Sequence, residues 1–145
     1  PKNAEIKNLR EIEYMKKDIQ IKEFNGLSLV VAYTYNEIYK SNDWLAYLLN
    51  ESNLDLSTVL IVSRGYDDER ETAVMRHRIE TLPAGSFAKI ELLQEEVLEL
   101  NNEFRVSFFA DNTLFEKKFI IPKSTVKQGK LRMIKAMNKR GIAFK

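Results

Sequence analysis

Glu116, Lys117 and Lys118 make the first candidate for chemistry. On a β-strand alternate side chains share a face, so Glu116 and Lys118 would point the same way. That is the Glu-x-Lys half of a metal-dependent nuclease site, which also requires a second carboxylate from a neighbouring strand. None is evident: Asp111 falls in the connecting turn and Glu103 begins the partner strand. The pattern recurs at Glu5-Ile6-Lys7, as expected of a charged chain. His77 is the only histidine, so any imidazole base must be this residue. It sits between Arg76 and Arg78, and the segment Ala84-Gly85-Ser86-Phe87-Ala88 lacks the second glycine of a nucleophile elbow. A structural histidine is the simpler expectation. Asp67, Asp68, Glu69 and Glu71 offer hard oxygen ligands for a divalent cation, but without the spacing and glycine of a calcium loop, and Arg64 and Arg70 compete for them. No cysteine is present, which excludes disulfides, thiol nucleophiles and thiolate zinc sites. The five glycines are scattered singly, so no phosphate-cradling loop is expected. Neither a metal nor another cofactor is expected.

The strongest signal is charge asymmetry. Residues 117–145 hold ten of the 23 Lys/Arg and none of the 21 Asp/Glu, whereas residues 1–116 hold thirteen basic and twenty-one acidic residues. A +10 segment thus follows a −8 body, although the whole chain is only +2. Lys127, Lys130, Arg132, Lys135, Lys139 and Arg140 are the candidate nucleic-acid contacts. Such a group could neutralise several phosphates and release their counterions. Placed on a helix, Arg132, Lys135 and Lys139 oppose Val126, Met133, Ile134 and Met137. The bland alternative is a solvated face balanced by the body's own carboxylates, with Glu91, Glu95 and Glu99 as the obvious partners. Phe104, Phe108, Phe109, Phe115 and Phe119 lie beside Arg105, Lys117 and Lys118 and could stack bases; a core-facing role is favoured.

The elements that would position these residues alternate in type. Asn3 caps a predicted surface or partner-binding helix over 4–17, within a possible surface segment 1–18. Asn25-Gly26 predicts a type I′ hairpin between strands 19–24 and 27–35. Trp44, Leu45, Leu48 and Leu49 predict a helix from Ser41 or Asn42 to Asn50. Thr58–Ser63 reads as a buried strand, 65–71 as a polar loop, and Thr72–Leu82 as a strand carrying His77 and Ile79 on one side. Ser86 to Leu100 reads as a helix, with a strand over 87–93 as the alternative. Residues 103–110 and 114–121 predict a second hairpin around Asp111-Asn112-Thr113. A last helix from Ser124 or Thr125 to Arg140 would end at Gly141. The expected fold is a single α+β domain over 1–145, with a mainly antiparallel sheet built from hairpins and three to four helices packed on it.

No run is long enough to span a membrane, and a cytoplasmic location fits a chain without cysteine. The start at Pro1 leaves open a removed initiator Met or a fragment of a longer protein. The functional expectation is a non-enzymatic binding or regulatory module contacting a polyanion, most readily nucleic acid. The alternatives are a protein-interaction or self-associating adaptor, with acidic body against basic tail, and a nuclease-like enzyme using Glu116 and Lys118.

Overall fold

A computed structural model describes residues 23–145. Among these residues, nine antiparallel strands form two sheets. The strands are β1 (Leu27–Asn36), β2 (Ser41–Asn50), β3 (Leu56–Tyr66), β4 (Met75–Leu82), β5 (Phe87–Leu93), β6 (Asn101–Ala110), β7 (Thr113–Ile121), β8 (Arg132–Ile134) and β9 (Lys139–Phe144). One sheet has the order β5-β2-β1-β9-β8 and the other β4-β3-β6-β7. Among the described residues, helical structure is confined to one turn, α1 (Glu95–Leu98), and two 3-10 turns at Gln128–Lys130 and Lys135–Met137. Among the described residues no helix is long and apolar enough to cross a membrane.

The α+β expectation is therefore overturned by a β-sandwich. Its interior forms where the inward faces of the two sheets meet. Leu29, Val31, Trp44, Ala46 and Leu48 belong to the same buried cluster as Leu56, Val59, Ile61, Phe104, Val106 and Phe108. Each fully buried Leu or Phe contributes about 1.5–3 kcal/mol. Phe24 meets Phe108 and Phe115 edge-on, with centroids 4.9 and 5.1 Å apart. A second, smaller cluster of Val30, Ala32, Tyr47, Leu49 and Met137 covers the opposite face of β1 and β2.

That second cluster explains why Ser41–Asn50, expected as a helix, is strand β2. The later half of β2 is buried on both faces: Ala46 and Leu48 face the main core, Tyr47 and Leu49 the other. A strand buried twice loses its polar alternation, and its apolar run imitates a helix face. The predicted helix over 86–100 is instead β5 followed by α1, so the strand alternative for 87–93 holds. The predicted C-terminal helix is a hairpin. Leu131 and Met137 are both buried, but in different clusters, while Met133 is exposed. No single helical face serves both cores. Asn138, with φ 50°, closes the turn between β8 and β9; Gly141 lies inside β9 rather than beyond a helix end.

The helix predicted over 4–17 and residues 19–22 of the first predicted hairpin lie outside the described residues. β1 itself matches its predicted strand, but its hydrogen-bonding partners are β2 and β9, on either side of Leu29–Ala32. Gly26 turns the chain into β1 with φ 101°, and its carbonyl accepts from the Glu51 N–H at 2.7 Å. The second predicted hairpin is present as β6 and β7, pairing Phe104 with Phe119 and Phe108 with Phe115.

Candidate functional site

The six predicted cations all lie in the 127–140 segment and are distributed around the β8–β9 hairpin. Lys127 precedes and Lys130 ends the 3-10 turn that leads into β8, and Lys135 opens the turn that leaves it. Arg132 is opposite Gly141, and Ile134 opposite Lys139, so Arg132 and Lys139 share one face of the hairpin. Lys139 Nζ lies 5.8 Å from the centre of the Tyr47 ring. Arg140, opposite Met133, takes the other face. Five of the six are exposed and Lys139 is half-buried. Among the described residues, none has a carboxylate oxygen within 4.0 Å. The acidic partners expected for them are elsewhere: Glu95 and Glu99 are exposed at α1, and Glu91 turns into the sandwich.

Glu116 and Lys118 do share the outer face of the second sheet, but the carboxylate needed beside them is committed. Glu103 is buried under three cations: Arg64 Nε at 3.2 Å, Arg105 Nε at 3.3 Å and Lys118 Nζ at 3.9 Å. Burial pushes its carboxyl up, and the Arg64 hydrogen bond with the three positive charges outweighs that, leaving it below the usual glutamate value. Among the described residues no three His, Asp or Glu side chains group as metal ligands. Register also sets Arg76 and Arg105 on either side of Val62, with Arg105 opposite Lys118, a row of three cations across the sheet.

Lys117 points the other way. Its Nζ donates to the Leu27 carbonyl at 3.1 Å and lies 5.3 Å from the Phe119 ring centre, and burial lowers its pKa. Phe104, Phe108, Phe115 and Phe119 are buried, as the favoured reading expected, and Phe109 alone of the five is exposed. In the acidic loop, Asp67 accepts from the Glu69 N–H at 2.9 Å and from the Arg70 guanidinium at 2.8 and 3.0 Å. The Glu69 N–H first, and then the Arg70 side chain, hold its carboxyl down at about 2. The Arg70 guanidinium is thus the partner of the Asp67 carboxylate.

One polar group escaped sequence reasoning. Ser63 Oγ donates to Glu91 Oε1 at 2.6 Å, and His77 Nε2 lies 3.3 Å from the same oxygen. The cause is a β-bulge in β5: Ala46 pairs with Glu91 and Tyr47 with Lys89, leaving Ile90 as the extra residue. Ile90 packs against the main core and its neighbour Glu91 also faces inward, which strict alternation would forbid. His77 and Ser63 each contact the carboxylate, and Ser63 donates its proton to it rather than to the imidazole. This is not a nucleophile-and-base arrangement.

No protein-family model, curated protein or solved structure matches this chain, so its functional reading rests on its own side chains.

Proposed function

We propose that the chain is a non-enzymatic binding module whose basic C-terminal hairpin contacts a polyanion, with nucleic acid as the best-fitting class. The observation that supports this reading is that Lys127, Lys130, Arg132, Lys135, Lys139 and Arg140 have no carboxylate within 4.0 Å among the described residues. Their positive potential is available to a partner. A short hairpin at the edge of a sheet reaches a phosphate backbone without rearrangement of the core. The contacts are to backbone charge, so binding is weakly sequence-dependent and strongly salt-dependent. A cytoplasmic setting suits a cysteine-free chain of this kind.

Fluorescence anisotropy with labelled duplex DNA and single-stranded RNA, from about 50 to 200 mM salt, tests the reading. If all six cations meet phosphates, the logarithm of the binding constant falls with the logarithm of salt with a slope near ~5 for duplex DNA. Joint replacement of the exposed Lys127, Lys130 and Lys135 by Gln reduces that slope by about 2–3. Absence of binding at the lowest salt, or an unchanged slope in the triple variant, removes the proposal.

A further inference from the structure

A cavity of about 340 Å³ opens between β3 and β5, beside the Ser63–Glu91 contact. That volume is at the lower end of the range for small-molecule pockets, about 300–1,000 Å³. Met75, Leu92 and Val97 give it apolar walls, and Glu91, Asn102 and Thr72 give it polar ones.

Among the polar atoms left over, those on nearly buried side chains are acceptors. The Glu91 side chain is only 9 % exposed, and its Oε1 already takes the Ser63 hydroxyl and faces His77. Its Oε2 has no hydrogen-bond partner among the described residues, whereas a carboxylate offers about four lone-pair sites. Asn102 donates through Nδ2 to the Val97 and Leu100 carbonyls at 2.9 and 3.0 Å, leaving Oδ1 unused among the same residues. Neither oxygen is sealed in, because no buried side-chain oxygen or nitrogen lacks a partner among the described residues. Both residues line the cavity. The cation on its rim, Arg64, is engaged by Glu71 and Glu103. Gly65 keeps the polar wall open: a Cβ there would lie 3.1 Å from Thr72 Cγ2 and 3.3 Å from Asn102 Oδ1.

A buried carboxylate oxygen and an amide oxygen, with apolar walls around them, select a donor with positive charge and a short carbon body. An anion would meet the Glu91 charge, while the donors on the lining are the exposed Gln94 amide and the Arg64 guanidinium already paired with two carboxylates. We infer that this cavity binds a small organic ammonium ion, with Glu91 as the charge-reading residue and Asn102 as its second acceptor. The bulge at Ile90 is then the device that turns a charged residue of an edge strand into the pocket, a recurrent use of bulges. This site is separate from the basic hairpin, and either proposal can fail alone.

The test is a nitrogen-15 heteronuclear NMR titration of the full chain with three probes of one shape: phenethylammonium, 2-phenylethanol and phenylacetate. Phenethylammonium is expected to shift the Ser63, Gly65, Thr72, Glu91 and Asn102 amides saturably. The alcohol binds about tenfold or more weakly, as the loss of a charge-assisted hydrogen bond requires, and the carboxylate does not bind. Glu91→Gln lowers ammonium affinity by a similar factor. Ala73→Trp, at the exposed mouth, blocks it without touching Glu91. Equal response to all three probes, or none to the ammonium ion, overturns the inference. So does undiminished ammonium binding by Ala73→Trp, which decides the matter should Glu91→Gln fail to fold.

Discussion

Ser63 Oγ and Glu91 Oε1 are 2.6 Å apart across the interface between the sheets, joining β3 of one to β5 of the other. Ser63 is itself buried, so the carboxylate has few alternative donors on that side. Ser63→Ala removes the hydroxyl and leaves Glu91 under-solvated. The expected cost is about 1.5–3 kcal/mol, the value of a hydrogen bond to a charged group. A urea titration should show a lower midpoint with an unchanged slope, because the surface exposed on unfolding stays the same. An unchanged midpoint would mean that Glu91 is solvated without Ser63.

Glu103 gives the stability of the fold a defined acid limb. Its carboxyl is lowered in the folded state, where Arg64, Arg105 and Lys118 outweigh the effect of burial. Its contribution is therefore complete above the ordinary glutamate pKa of about 4.3 and is lost as pH falls through the depressed native value. Glu103→Gln should cost about 1–2 kcal/mol at neutral pH, since Arg64 keeps Glu71 as a partner. Denaturation of both proteins across the acid range should show the gap narrowing as the pH falls below the ordinary glutamate value of about 4.3. A gap that is constant with pH would count against the ion cluster.

Gly141 is required by packing. A Cβ at this position would sit 2.8 Å from Val30 Cγ1 and 3.1 Å from the Val31 carbonyl oxygen. Gly141→Ala therefore overpacks the β1–β9 pair and should destabilise by about 1–3 kcal/mol. Gly129→Ala is the control, because nothing lies within 4 Å of its added methyl. It should change stability by no more than about 0.5 kcal/mol. Thermal melts of the two variants should separate cleanly; equal melts would contradict the close approach.

The β6–β7 hairpin was legible because it is buried on one face, so Phe104, Val106 and Phe108 alternate cleanly with Glu103, Arg105 and Ser107. Its turn is tighter than the three residues expected: Asp111 and Asn112 both have positive φ, 49° and 59°, as a two-residue type I′ turn requires. The helix readings failed where that simple alternation broke. β2 is buried on both faces, β5 carries a bulge, and the C-terminal segment divides its apolar residues between two clusters. The same bulge hid the pocket. Glu91 appeared to belong to the acidic surface of a helix with Glu95 and Glu99, and only the extra residue at Ile90 turns it inward. For the basic segment the sequence located the cations, but the helical arrangement assigned to them does not exist.

Asn50 joins several segments at one end of the sandwich, and its amide orientation can be tested directly. The residue is fully buried. Its Nδ2 faces the carbonyls of Leu54, Pro83 and Leu82 at 2.9, 3.1 and 3.2 Å, and its Oδ1 accepts from the Ser52 N–H and hydroxyl at 3.1 and 2.6 Å. Asn50→Ala strands those groups and should cost about 2–3 kcal/mol. Asn50→Asp keeps the shape but places a carboxylate oxygen against three carbonyls, so at neutral pH it should be worse than alanine. Burial and repulsion raise the new carboxyl's pKa in the folded state. Protonation then restores a donor, so lowering the pH toward about 4 should narrow the difference between the two variants. Circular-dichroism melts at neutral and acid pH would measure this. If aspartate were the milder substitution at neutral pH, the amide would not be donating to those carbonyls.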